Sequence, residues 1–217
     1  ENEKGIIGQE ILMYQDNPDW KVHFNLLKAM YEKHPVRIDI AGTIDSISRI
    51  DRETLYKCYN TFYHPSNMIV LAVGDVDPEN VFRMVESTIP HNKPRAPVNR
   101  IYPEEKAAVH SEFIEERLAV SIPMFRIGHK GSFFGEKGIG LLMYEVAVKL
   151  ALELLAGRSS ELYEQLYGEG MINSSFGTDV SVEKQYAFSI LGGESPDPLQ
   201  VRDRFCRALE EAKKKGL

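Results

Sequence analysis

The sequence predicts an α+β fold, in which helical and extended segments lie largely in different parts of the chain. Helical patterns, with apolar residues three or four positions apart, account for most of residues 1–90. Extended patterns and a hairpin concentrate in residues 104–217. Such a separation of helices and strands is typical of α+β proteins.

Four helices are predicted in the first part of the chain. The first covers residues 3–14. The second follows Asn17, whose side chain suits a helix cap, with Pro18 in its first turn. Two more begin after Asp51 and Asp77, which are also favourable capping residues.

One strand and a linker complete this part. Residues 68–73 are all apolar and rich in β-branched side chains, which predicts a buried strand. Four of the 11 prolines then lie between residues 89 and 103. Because proline removes a backbone donor and biases the preceding residue towards extended geometry, we place a linker at residues 91–103.

The second part of the chain combines extended segments with helices. Alternation of Leu118, Val120 and Ile122 predicts an extended segment over residues 108–126. The remaining predicted elements are a helix at 139–156, a helix starting at 159–161, a hairpin of 171–180 with 185–191, and a helix after Pro198.

The composition excludes several classes of protein. With 43% hydrophobic and 27% charged residues, the chain of 217 residues is globular rather than disordered. Its net charge of −6 argues against a nucleic-acid partner. The most apolar stretch, residues 139–157, carries three charged residues on one helical face, which argues against a membrane. The two distant cysteines, Cys58 and Cys206, predict a reducing compartment and hence a cytoplasmic protein.

The usual motifs of catalytic sites are absent from the sequence. No two of the six histidines are three to five residues apart, so no helix offers two imidazoles to zinc, and each histidine is interpreted as a surface or turn residue. The glycines of residues 128–140 lack the Gly-Lys-Ser/Thr ending of a phosphate loop. Ser159 and Ser160 are interpreted as helix caps rather than nucleophiles.

Glu3 and Glu10 form the one candidate site. A spacing of seven residues places both on the same helical face, about 10 Å apart along the axis. One carboxylate could bind a metal while the other orients a neighbouring group. On spacing alone, two acids on an exposed helix face are the commoner explanation.

Residues 1–11 resemble the helix that carries the third zinc ligand in pitrilysin-type (insulinase-like, inverted-zincin) metallopeptidases. The E-(x)6-E pair of that family matches Glu3 and Glu10. The resemblance implies that Glu10 is the zinc ligand and that Glu3 is a supporting catalytic residue. The other ligands and the base come from an upstream H-x-x-E-H motif in the family, and this motif is absent here.

The resemblance extends over almost the whole chain and is closest to the bacterial processing-protease-like branch. It implies a mixed or antiparallel sheet packed against helices. The matching segments are His34-Pro35, residues 41–43, 62–68, 74–75, 157–163, 166, 170–172 and 174–176. In active members an Arg and a Tyr of the second domain contact the substrate, whereas the corresponding residues here are Tyr167 and Asn173.

The resemblance also implies how the chain is organised. Residues 1–90 would be the late half of a first peptidase-like domain, residues 91–103 the linker, and residues 104–217 the early half of a second homologous domain. Because the chain opens without Met or a signal segment, we expect a fragment of a longer protein. We further expect residues 68–73 to pair, within one chain or between two, with the sheet containing the 171–191 hairpin.

The implied function is that of a zinc endopeptidase acting on peptides or unfolded segments. Zinc is expected in the full-length parent and not in this fragment, which is expected to be inactive. The alternative is a non-catalytic partner or structural subunit of the same family. A homologous domain or subunit is the expected partner, and a homodimer stays open.

Overall fold

Eight α-helices and three β-strands make up the part of the chain that the computed structural model describes, namely residues 2–89, 95–131 and 137–216. The predicted α+β class is confirmed. In chain order the elements are α1 Asn2–Gln15, α2 Pro18–Met30, α3 Ile44–Ser48, α4 Arg52–Phe62, α5 Pro78–Thr88, β1 Met124–Lys130, α6 Ile139–Ala156, α7 Glu161–Gly168, β2 Gly177–Val182, β3 Ala187–Glu194 and α8 Pro198–Lys215.

The three strands form one antiparallel sheet in the order β1-β3-β2. The predicted hairpin is confirmed as β2 and β3, although its connection is residues 183–186 rather than 181–184. Gly192 in β3 is required by close packing, because a Cβ at this position would lie 2.2 Å from the carbonyl oxygen of Phe125 in β1.

Both faces of the central strand are covered. Phe188 and Ile190 pack with Leu27 and Met30 of α2, whereas Leu191 packs into a cluster formed largely by α6, α7 and α8. Because side chains alternate between the faces of a strand, β3 is buried along almost its whole length.

The predicted helix caps are confirmed, except that Ser160 alone, and not Ser159, is the N-cap of α7. The side chain of Asn17 accepts a hydrogen bond from the backbone N–H of Trp20 at 3.2 Å. Asp51, Asp77 and Ser160 cap α4, α5 and α7 in the same way. These interactions are local in sequence, which is why the sequence predicts them.

The chain divides into two compact units. One consists of residues 2–42 and 102–217, and the other of residues 43–101. Helices α1 and α2 therefore share a unit with the sheet, although they precede the predicted linker. Residues 90–94 lie outside the described residues. The assignment of residues 1–90 and 104–217 to halves of two homologous domains stays a prediction.

The predicted strand at residues 68–73 is wrong. The segment belongs to no strand of the described structure, and Ile69, Leu71 and Val73 are 94%, 84% and 87% exposed. The expected pairing with the sheet does not occur within the described part of this chain, since all three described strands lie between residues 124 and 194. Pairing between two chains stays a prediction. An apolar sequence forms a strand only beside a partner strand, and the described part of the 43–101 unit holds none.

Two further predictions are corrected. Of the extended segment predicted over residues 108–126, only the part from Met124 onwards belongs to a strand, so β1 begins later than expected and continues to Lys130. His34 and His64, expected at the surface or in turns, do lie in turns, but only 3% and 7% of their surfaces are exposed. No helix among the described residues has the length and apolar character that crossing a membrane requires.

Candidate functional site

Helix α1 carries both candidate acids on its surface. Glu3 and Glu10 are exposed, whereas Gly8 and Ile11 are buried and fix the orientation of the helix. The helix rise puts the two glutamates about 10 Å apart along the axis. The carboxylates are therefore too far apart to share one ion, and only one of them could be a direct ligand.

Glu10 contacts a tyrosine one turn further along α1. The hydroxyl of Tyr14 donates a hydrogen bond of 3.4 Å to Oε1 of Glu10. The ring of Tyr14 stacks on Trp20 of α2, with centroids 4.6 Å apart and planes at 25°. The indole Nε1 of Trp20 in turn donates to Oδ2 of Asp39 at 2.5 Å. Glu10 is thus linked through two aromatic side chains to Asp39, in the segment between α2 and α3.

The donor chemistry of Glu10 suits one position of a zinc site. Its carboxylate is exposed, and within the described residues Oε2 accepts no hydrogen bond. Carboxylate oxygen is an ordinary zinc ligand when nitrogen or sulfur ligands complete the tetrahedron. The described residues contain no group of three His, Cys, Asp or Glu side chains that could hold a metal. Glu10 therefore fits as one ligand of a set whose other members are not among these residues.

Asn173 and Tyr167 are the residues that the resemblance aligns with the substrate-contacting Tyr and Arg of active members. The Asn173 amide donates to Oε2 of Glu194 at 2.6 Å, and its Oδ1 accepts from the backbone N–H of Ser175 at 2.9 Å. Asn173 is therefore bonded to the end of β3. The ring of Tyr167 is exposed and stacks on Tyr163.

A buried ion pair was not predicted from the sequence. Lys130 lies 2.9 Å from Glu105, and their side chains are 2% and 8% exposed. Glu105 also accepts hydrogen bonds from the backbone N–H groups of Glu32, Lys33 and His34, which follow α2. Lys130 and Glu105 are 25 positions apart in sequence. Helical and strand periodicities relate only near neighbours, so they could not predict this ion pair.

The ionisation of this cluster is strongly perturbed. Burial opposes the charge on Glu105, but the three backbone N–H groups and Lys130 outweigh it and lower the pKa of the carboxyl to about 2. Burial also lowers the pKa of His34, and the charge of Lys130 acts in the same direction while Glu105 opposes it. The Nδ1 atom of His34 accepts from the backbone N–H of Val36, and Nε2 is buried and has no hydrogen-bond partner among the described residues.

Comparisons with known proteins identify relatives along the whole chain. A family model described as Peptidase M16 inactive domain matches residues 49–217. A relative named Uncharacterized zinc protease YmfH, from Bacillus subtilis (strain 168), is 43% identical over 218 residues, which is 98% of this chain and 50% of that protein. The chain spans about half the length of the curated relatives that it matches end to end.

Solved structures share the fold. The crystal structure of an M16-like peptidase from Alicyclobacillus acidocaldarius has a TM-score of 0.91 and 34% identity, over 99% of this chain and 51% of that chain. A protease from Helicobacter pylori has a TM-score of 0.76 at 19% identity, over 100% of this chain and 53% of that one. At this lower identity the likeness concerns the fold alone.

Proposed function

Because this chain belongs to the M16 peptidase family, we propose that the whole protein is a zinc-dependent endopeptidase that cleaves peptides or unfolded segments. The predicted membership of the pitrilysin-type family is thereby confirmed. One observation carries the proposal: Glu3 and Glu10 stand exposed on one helix with the family's spacing. Relatives named as zinc proteases support it.

In this proposal the residues of α1 have distinct tasks. The exposed carboxylate of Glu10 binds zinc as the third protein ligand. Glu3, two turns earlier, acts indirectly by orienting a group next to the metal. When bound, zinc would polarise the scissile carbonyl and lower the pKa of its water. The remaining ligands and the general base would come from an H-x-x-E-H motif, which this sequence lacks.

A second candidate function is that of a non-catalytic partner subunit. Asn173 favours it, because its side-chain amide is bonded to Glu194 and Ser175, and because the family resemblance aligns this residue with a substrate-contacting Tyr. The matched family model also describes an inactive domain. In this case a homologous domain or subunit supplies the missing substrate contacts. Pairing of two identical chains is the other arrangement.

We also propose a cytoplasmic location. Cys58 and Cys206 are exposed free thiols. Exposed thiols persist in reducing compartments and are oxidised elsewhere, which supports this location.

The decisive experiment measures zinc and peptidase activity in the full-length protein. We expect one zinc per chain, hydrolysis of a fluorogenic peptide mixture, and loss of most zinc and activity in Glu10→Gln. Glu86→Gln is the matched control, because Glu86 is an exposed helical acid in α5. A full-length protein with no zinc, or one in which both variants match wild type, would contradict the peptidase proposal and favour the partner subunit.

A further inference from the structure

We propose that Tyr14 is a positioning residue for the metal ligand Glu10, an inference that rests on the proposed function. Tyr14 lies one turn after Glu10, and its hydroxyl donates to Oε1 of that residue. The second carboxylate oxygen accepts no hydrogen bond within the described residues. The tyrosine therefore holds one oxygen and leaves the other available to a metal.

The ring of Tyr14 is itself held in place. It is half-buried and stacks on Trp20, whose indole is bonded to Asp39. The other carboxylate oxygen of Asp39 accepts from the backbone N–H of Ala41 at 2.9 Å, so this end of the chain of contacts is fixed as well. Trp20 is further packed against Phe24, with centroids 5.1 Å apart. The phenol ring is thus held by contacts with α2 and with the segment that follows it.

This support matters because Glu10 is exposed. An exposed glutamate has several rotatable bonds, and a metal must select one rotamer at an entropic cost. The hydrogen bond of 3.4 Å is long for a hydroxyl donor, so it restrains the carboxylate without competing strongly with a metal. Glu3 has no such partner among the described side chains, which agrees with its indirect role.

Hydrogen-bonded partners of a ligand typically raise metal affinity by about 10- to 100-fold. Since the Tyr14 bond is long, we expect the lower end of this range. Tyr14→Phe in the full-length protein should raise the zinc dissociation constant about tenfold. The ring remains in this variant, so the stack on Trp20 and the packing of α1 are retained.

The test is a competition titration of zinc against a chelator, combined with the visible spectrum of the cobalt-substituted protein. Tyr14→Phe should weaken zinc binding and shift the cobalt bands, because the carboxylate is reoriented. Tyr63→Phe is the matched control, since Tyr63 is exposed and stacks on Tyr59 in the same manner. In a Glu10→Ala background, Tyr14→Phe should change the dissociation constant by less than about twofold.

The outcomes separate this inference from the proposed function. If Glu10→Gln loses zinc but Tyr14→Phe binds zinc as tightly as Tyr63→Phe, the role of Tyr14 is refuted and the peptidase proposal stands. If Tyr14→Phe lowers zinc affinity equally in the wild-type and the Glu10→Ala backgrounds, the role of Tyr14 is also refuted. The effect would then not depend on the carboxylate of Glu10. If the full-length protein binds no zinc, both proposals are wrong.

Discussion

The ammonium group of Lys130 lies 2.9 Å from the carboxylate of Glu105, and neither side chain has appreciable contact with solvent. The same ammonium donates to the carbonyl oxygens of Lys106 and Ala108 and lies 4.7 Å from the centre of the Tyr31 ring. Lys130 therefore ties the end of β1 to the segment that follows residue 101, and Glu105 ties that segment to the end of α2.

Replacing Lys130 should destabilise the contacts among the end of β1, the segment that follows residue 101, and the end of α2. Lys130→Met leaves a buried carboxylate without its cation, a change that typically costs about 3–5 kcal/mol. Hydrogen exchange of the amides of residues 32–34, measured in the full-length protein, should therefore speed up strongly. Lys149→Met is the control, because Lys149 forms an exposed pair with Glu145 and should change stability by under about 1 kcal/mol.

Acidification should destabilise the same region in two stages. The pKa of His34 is lowered in the folded state, so the unfolded chain takes up the proton first as the pH falls. The contribution of neutral His34 to the free energy of unfolding is therefore lost as the pH falls below about 6.5. Folding lowers the pKa of Glu105 from 4.5 to about 2. The ionised carboxylate therefore contributes about 3 kcal/mol to the free energy of unfolding above pH 4.5, and this contribution is lost towards pH 2.

The first stage can be isolated by substitution. His34→Asn keeps an acceptor for the N–H of Val36 but does not titrate, so protection of residues 102–108 from hydrogen exchange should depend less on pH between 7 and 5. Part of the pH dependence of this protection should remain, because burial also lowers the pKa of His23. His129→Asn alters an exposed histidine of β1 and should leave the slope unchanged. Equal slopes for all three proteins would contradict this assignment.

Gly192 should not tolerate a side chain. In Gly192→Ala the new methyl group would meet the backbone of Phe125, so β1 must move away from β3, at an expected cost of about 3 kcal/mol. Gly177→Ala in β2 meets nothing within 4 Å and should cost under about 1 kcal/mol. Thermal unfolding of both variants would measure the difference, and similar melting temperatures would show that β1 can adapt.

The chain of 217 residues should bind no zinc tightly by itself. The carboxylate of Glu10 alone cannot satisfy the preference of zinc for a tetrahedron with nitrogen or sulfur ligands. Calorimetry at neutral pH is expected to give no stoichiometric binding, and peptide hydrolysis should be absent. Stoichiometric zinc binding that disappears in Glu10→Gln would show that these residues build a complete site.

The sequence predicts those features whose causes are local. Asn17, Asp51 and Ser160 cap helices because their side chains reach backbone N–H groups three residues away. Glu10 was identified through the spacing of a known motif, which is also local. The contact between Tyr14 and Trp20 has no such local cause, because it depends on the angle between two helices.

Long-range features could not be predicted in this way. Residues 68–73 have a strand composition, but whether they form a strand depends on a neighbouring chain segment. The burial of His34 and its stacking on Tyr102 likewise depend on a segment almost 70 residues away. For such residues composition gives a preference and tertiary context decides the outcome.

The low burial of the unit formed by residues 43–101 determines where the chain of 217 residues, taken by itself, should unfold first. Its only buried side chain within the described residues is His64, whereas Leu55, Tyr63 and Phe82 are at least 60% exposed. Helices gain most of their stability from buried contacts, and α4 and α5 have almost none. We therefore expect these two helices to unfold locally, at a lower free energy than the sheet. A protease added in trace amounts would therefore cut between residues 43 and 101 first. The sheet, with α1 and α2 still attached, would outlast that first cleavage.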